Sequence, residues 1–221
     1  MLRRSTYNGF VAFAVRFSLA VLVLFGAVRI TQARTITLTA ADCEFMAVIS
    51  ASAPEAGWAG MRGTHYYATN FAKVSQRDAI LLQFNLGRIP KNMRIIQAEL
   101  SLPLRENPRA SLHLWRLLQP WGVGVSYLHR MVRPVPVPWV QPGARGAGTD
   151  RAATPSAQVQ LPTKRENEVV LNVLNDIELW YSGSVENYGW MISTGEPKEE
   201  VKFLYPLSYS HSWKLNITYG P

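Results

Sequence analysis

The sequence predicts an all-β protein, an antiparallel jelly-roll-like β-sandwich with one short helix near residues 176–181. Three observations carry this. Apolar residues recur at every second position in segment after segment, turn-forming clusters separate those segments, and one segment alone changes to helical spacing.

The alternation is plain in four places. In "AILLQFNLG", Ile80, Leu82, Phe84 and Leu86 face one way, and Leu81, Gln83 and Asn85 the other. In "IIQAELSLPL", Ile96, Ala98, Leu100, Leu102 and Leu104 alternate with Gln97, Glu99 and Ser101. "SLHLWRLL" sets Leu112, Leu114 and Leu118 against His113, Trp115 and Leu117, and "KLNITY" sets Leu215, Ile217 and Tyr219 against Lys214, Asn216 and Thr218. A period of two marks strands with one face on a core and one toward water. "GRIPKN", "RENPRA" and "STGEPKE" supply the turns, and short strands so spaced indicate a sandwich or jelly roll. No long structureless linker divides the chain, so residues 34–221 are expected to form one domain.

The helix is expected in "NDIELWYSG". Asn175 is an acceptable N-cap with Glu178 three residues on, Ile177 and Trp180 lie one turn apart, and Gly183 offers a left-handed stop. Trp180 reads as a core anchor.

"WVQPGARGAGTDRAATP" is the most conspicuous loop. From Gly143 to Gly148 it has the G-x-x-x-x-G spacing of a phosphate loop, but Thr149 and Asp150 follow where Lys and Ser or Thr are needed. Pro134, Pro136 and Pro138 upstream exclude a central strand, and Pro155 downstream precludes a helix. A nucleotide site is therefore rejected. Asp150, beside glycines, reads either as an acceptor of backbone N–H bonds or as a weak candidate Ca²⁺ ligand; one carboxylate is far short of the six or more oxygens calcium takes. No other cofactor is indicated.

Residues 1–33 read as a secretory signal peptide: Arg3 and Arg4, the apolar run Phe17–Val28, then Thr31-Gln32-Ala33 before Arg34. An uncleaved anchor is the alternative, and would be the only attachment to a membrane. Either way the protein is expected outside the cell, secreted or at the cell surface. The formal charge of +8 is partly a property of this leader. Its four arginines taken from 23 basic residues leave 19 against 15 acids, a balance of +4. Those charges form no basic stripe interleaved with aromatics, so a nucleic-acid partner is not expected. Cys43 is the single cysteine, which excludes an intramolecular disulfide; beside Asp42 it reads as a half-buried strand residue.

Landmarks in order along the chain resemble the DNRLRE family, a disaggregatase-related β-sandwich module that overlaps a carbohydrate-binding module family. In "ILLQFNLGRIPKNMRIIQAELSLPL" the matching positions are Leu82, Phe84, Leu86, Ile89, Pro90, Ile95, Ala98, Leu100 and Leu102. Trp121, Gly124, Ser126 and Tyr127 are similar to the next element. Trp139, Pro142, Gly143, Gly146, Gly148, Asp150 and Pro155 are similar to the glycine-rich loop after it. "LNVLNDIELWYSGSVENYGWMI" contributes Val173, Trp180, Gly183, Asn187, Tyr188, Gly189 and Ile192, and "VKFLYPLSYSHSWKLNITY" stands at the family's closing strands. Ser212-Trp213 departs from the Arg-Pro expected before the last strand, Gly57-Trp58 from an Asn-Tyr-Gly, and Tyr127 to Trp139 is unusually rich in proline. The resemblance spans about residues 42–219 and implies a sandwich with a glycan as ligand.

Catalytic signatures are sparse. His65, His113, His129 and His211 show no metal spacing; His113 alternates outward on a strand and the others fall in loops. There is no nucleophile elbow, and a carboxylate pair meeting only in space would leave no sequence trace. Aromatic side chains are the remaining asset. Trp58, Tyr66, Tyr67, Trp121 and Trp139 lie in loop-like stretches flanked by Arg62, Arg130, Arg133 and Arg145. Rings stack on sugar C–H faces, and guanidinium groups pair with uronate or sulfate. The candidate binding residues are thus Trp58, Tyr66, Tyr67, Trp121, Trp139, Arg133 and Arg145, or else the loop rings simply close the ends of the sandwich.

The expected function is non-catalytic binding of a polysaccharide or cell-surface glycan, acidic polymers included. A structural or adhesive module contacting other extracellular proteins is the alternative, and a polysaccharide-cleaving enzyme ranks below both.

Overall fold

The computed structural model describes residues 32–56, 59–61, 71–106, 109–161, 167–196, 198–204 and 213–221. The leader, with its expected cleavage site before Arg34, falls almost wholly outside them, as do Trp58, Arg62, His65, Tyr66, Tyr67 and His211. The described residues belong to one compact unit, Thr31–Pro221.

The chain is all-β, in two principal antiparallel sheets. The strands are β1 (Arg34–Leu38), β2 (Cys43–Ser50), β3 (Ala59–Met61), β4 (Phe71–Ser75), β5 (Asp78–Phe84), β6 (Arg94–Pro103), β7 (Ser111–Arg116), β8 (His129–Met131), β9 (Val137–Pro138), β10 (Ala157–Gln160), β11 (Glu168–Asn172), β12 (Trp190–Thr194), β13 (Glu200–Leu204) and β14 (Lys214–Gly220). One sheet has four strands in the order β1-β14-β6-β11, and the other six in the order β10-β7-β12-β5-β2-β3. Two ribbons, β13-β4 and β8-β9, complete the described strands. Among the described residues no helix is long and apolar enough to cross a membrane.

The main core lies between the sheets. Ile80, Leu82 and Phe84 of β5, Leu112 and Leu114 of β7, and Trp190 and Ile192 of β12 meet Ala98, Leu100 and Leu102 of β6 and Leu215 and Ile217 of β14. The alternation of β5, β7 and β14 is thus realised as expected. In β6 it slips by one: Ile95 is 4% exposed and Ile96 47% exposed, the reverse of the expected facing. The register shift between Thr218 and Tyr219 pairs Tyr219 with Ile95 and leaves Ile96 as the extra residue of a bulge. An extra residue flips every side chain beyond it to the other face.

The larger sheet departs further from a greasy-inside, wet-outside pattern. Its outer face carries a second core: Ala47 and Ile49 of β2, Ala79 and Leu81 of β5, and Met191 of β12 pack with Leu117, Trp121, Val125, Trp139 and Ala144. Residues 117–156, the long excursion between β7 and β10, fold back over this face. Backbone bonds tie it down, from Leu117 N to Gly189 O at 2.9 Å and Leu128 N to Pro54 O at 3.1 Å, and its two arms are joined by Leu118 N to Asp150 O at 2.8 Å. β5 is consequently apolar on both faces, although it is a strand of an antiparallel sandwich.

The helix, α1 (Leu174–Tyr181), buries Asp176, Ile177 and Trp180 and stops at Gly183 with φ +72°. Trp180 packs on Trp190 with ring centroids 4.6 Å apart, as a core anchor should. The expected cap at Asn175 is corrected: Asn175 lies within the helix, and Asn172 Oδ1 accepts from Leu174 N at 3.0 Å. Asp176 ties the helix to the larger sheet, accepting from Trp190 Nε1 at 2.7 Å. Cys43 is buried at the start of β2; burial, reinforced by the Asp42 charge, pushes its thiol up to about 12.

Candidate ligand-binding face

The excursion does not cover the whole outer face of the larger sheet. On β7 the residues opposite Leu112 and Leu114 point outward, and the register extends them into rows. Gln158, His113 and Ser193 form one row across β10, β7 and β12, flanked by Gln160 beside Ser111 on one side and Trp115 beside Met191 on the other. Gln158 and Gln160 are exposed, and His113 and Trp115 half-buried. Trp115 therefore marks the boundary between the roofed apolar part of the face and its uncovered polar part.

The indole is held from several sides. Its Nε1 donates to Ser193 Oγ at 3.0 Å. The His113 ring meets it at 65° with centroids 5.6 Å apart. The Arg151 guanidinium lies over it, with Cζ 3.5 Å from the ring centre, a cation–π stack that fixes the guanidinium plane. In the adjoining row Ser111 donates from both N and Oγ to Glu199.

Arg151 owes its place to the glycine-rich loop. Asp150 is fully buried, and its carboxylate accepts from Val140 N at 2.9 Å, Gln141 N at 2.8 Å and Gly146 N at 3.0 Å. Of the two roles open to Asp150 in the sequence, it fills that of backbone acceptor. A Cβ at Gly146 would lie 2.3 Å from Thr149 Oγ1 and 2.6 Å from Asp150 Oδ2, so the loop closes this tightly only with glycine there. Asp150 N and Arg151 N both return to Gly146 O, at 2.8 and 3.0 Å, and Ala152 N reaches Arg116 O on β7 at 2.8 Å. The stretch that resembles a phosphate loop is a clamp wound round its own carboxylate, and it delivers Arg151 to Trp115.

Arg145 leaves the same loop. Its Nη2 donates to Gln76 O at 2.5 Å. Burial, followed by the nearby positive charge of Arg145, pulls the Arg151 guanidinium below its ordinary value.

Several residues selected from the sequence are placed elsewhere. Trp121 and Trp139 are corrections: they are 4% and 3% exposed, members of the outer-face core rather than open platforms. Their indole N–H groups are engaged by Tyr188 O at 2.7 Å and Ser126 O at 3.1 Å. Trp121 also packs on Phe45, with ring centroids 5.6 Å apart. Arg133 is exposed beside the β8-β9 ribbon, and Arg130 donates to Pro120 O at 2.7 Å. His129 begins β8 rather than lying in a loop. Trp58, Tyr66 and Tyr67 lie outside the described residues. Of the selected residues, Arg145 alone is placed beside Arg151. Trp115 and Arg151 are not among the residues the loop argument selects, although "SLHLWRLL" already sets Trp115 on the polar side of its strand.

Among the described residues no group of three or more His, Cys, Asp or Glu side chains is arranged to hold a metal ion. The sequence matches no protein-family model, and no curated protein matches it.

Proposed function

We propose that the protein is a secreted, non-catalytic β-sandwich of the DNRLRE type that binds extracellular polysaccharide on the outer face of β10, β7 and β12. The observation that supports this best is the uncovered row beside Trp115. There the Arg151 guanidinium stacked on Trp115, an imidazole and two exposed glutamine amides share one face, a flat cation and hydrogen-bonding groups that suit a sugar chain. Trp121 and Trp139 are buried and present no ring to a ligand, so the reading rests on the sheet face rather than on these loop rings. Electrophoresis of the protein through native gels containing alginate, pectin or a neutral glucan tests the reading. Retardation by at least one polymer is expected, with loss of retardation in Trp115→Ala; free migration in every gel would overturn it.

Attachment to another extracellular protein is a second reading, favoured by one observation. β10 and β11 are edge strands of the two sheets, and a groove of about 440 Å³ runs between them, lined by residues 156–159 and 170–176. Exposed strand edges pair readily with other chains. Light scattering behind size exclusion decides: a strict monomer counts against this reading.

A further inference from the structure

We infer that the Trp115 face takes an anionic group, a carboxylate or a sulfate ester carried by the sugar chain, between Arg151 and Arg145. The inference rests on the polysaccharide reading and names the class of ligand. Residues 117–156 contain four arginines, Arg130, Arg133, Arg145 and Arg151, against one acid, Asp150. That acid is fully buried and turned inward on three backbone N–H groups, so it neutralises none of them directly.

Four of the other described cations stand in ion pairs. Lys73 pairs with Asp78 and Glu200, Arg88 with Asp42, Arg116 with Asp176, and Lys202 with Glu106 and Glu200. Neither Arg145 nor Arg151 has an acidic partner among the described residues. Their Nε atoms are buried with no hydrogen-bond partner, and each guanidinium donates to a backbone carbonyl, Arg145 to Gln76 O and Arg151 to Ala152 O at 3.3 Å.

Two like charges are thus held near each other by a rigid loop, partly desolvated and short of acceptors. Burial and Arg145 together disfavour the charged form of Arg151. A bound anion would remove both penalties, because it supplies acceptors and offsets the repulsion. The stack on Trp115 strengthens the argument. It covers one face of the Arg151 guanidinium and fixes its plane; with Nε buried and Nη1 donating to Ala152 O, the Nη edge is the part of the fork left for an acceptor, and carboxylates and sulfates both present one. Trp115 then serves as the floor beneath the cation, and the sugar ring is held by His113 and the glutamine row.

The test compares the full chain with Arg151→Gln, Arg145→Gln and the double variant. The polymers are polygalacturonate for carboxylates, dextran sulfate for sulfates and unmodified dextran as the neutral control, each at low and at raised NaCl. Retention by one charged polymer over dextran is expected, and which polymer it is identifies the anion. The Arg151→Gln change should weaken that retention about tenfold or more, the usual scale of a lost charge-assisted bond. Raised salt should weaken it too. Arg151→Lys, which keeps the charge but loses the fork, should rescue only part. Thermal midpoints of the variants establish that they are folded, and Arg145→Gln, at the more exposed site, carries the test if Arg151→Gln is not. Charged-polymer binding that survives in the double variant overturns the inference. Binding of dextran or another neutral polymer alone overturns it while leaving the polysaccharide reading intact.

Discussion

Removing the carboxylate of Asp150 should unfasten the loop that carries Arg145 and Arg151. In Asp150→Ala three donors lose their acceptor. Gly146 N is buried and would be left without a partner, at about 1–3 kcal/mol. Val140 and Gln141 are exposed residues, so water can replace the carboxylate there and each loss is smaller, about 0.5–1 kcal/mol. The expected total is about 2–5 kcal/mol, or a fall of roughly 5–15 °C in the midpoint of a domain this size. Asp150→Asn retains an acceptor but turns an amide donor into a nest of N–H groups, so it should fall between alanine and the native residue. Urea unfolding followed by tryptophan fluorescence measures both, since Trp139 and Trp121 lie in the core under the loop. An alanine variant within about 0.5 kcal/mol of the native protein, the ordinary scatter of surface substitutions, would refute the reasoning. The expected loss of about 2–5 kcal/mol with polymer binding intact would separate the clamp from the site.

Leu81 and Leu82 lie on opposite faces of β5 and both are fully buried, so Leu81→Ala and Leu82→Ala should each destabilise by about 2–5 kcal/mol in urea titrations; a near-neutral Leu81→Ala would mean the excursion does not roof the sheet. Burial tends to raise the carboxyl of Asp78, but hydrogen bonds from Ser50 and Ser75 and the charge of Lys73 outweigh it and hold the carboxyl below its ordinary value. A depressed carboxyl adds stability above the unfolded value, near pH 4, and that contribution is lost as the pH falls through the folded one. Asp78→Asn should therefore flatten the fall of the urea midpoint below about pH 4, and an unchanged acid limb would contradict the assignment. With its thiol pushed up to about 12 and buried, Cys43 should resist a thiol reagent at pH 8 in the native protein and react fully once unfolded.

Much of the fold was legible because alternation reports directly which residues share a face. Leu82 and Phe84, Leu112 and Leu114, and Leu215 and Ile217 all point where their spacing places them. What alternation cannot report is the cover on the other face. Leu81 and Ala79 look the same in sequence whether water or a loop lies over them, and the roof over them comes from residues far along the chain. The slip at Ile95 and Ile96 is of the same kind, since it depends on a bulge defined by the partner strand. The helix is legible in sequence but its start is not: Val173 stands at the N-cap with no side-chain cap bond, Asn172 just before it accepts from Leu174 N, and the burial of Asp176 and Ile177 rather than a capping side chain sets where the helix begins.

The same limit governed the site. Trp121 and Trp139 occupy loop sequence, which suggests surface, yet a loop that crosses an apolar sheet needs large side chains pointing down. Trp115 sits in strand sequence on the polar side of "SLHLWRLL", a signal open to inspection from the start. Arg151 carried no such signal, because its stack on Trp115 exists only once the loop has wound round Asp150.

Hydrogen exchange on the protein with and without its retained polymer tests the central claim most directly. Added protection is expected in residues 111–116 and 145–152, the strand bearing Trp115 and the arc bearing Arg145 and Arg151. Protection confined to the Thr35, Thr37, Asn216 and Thr218 side of the four-stranded sheet would contradict the assignment of the binding face to Trp115.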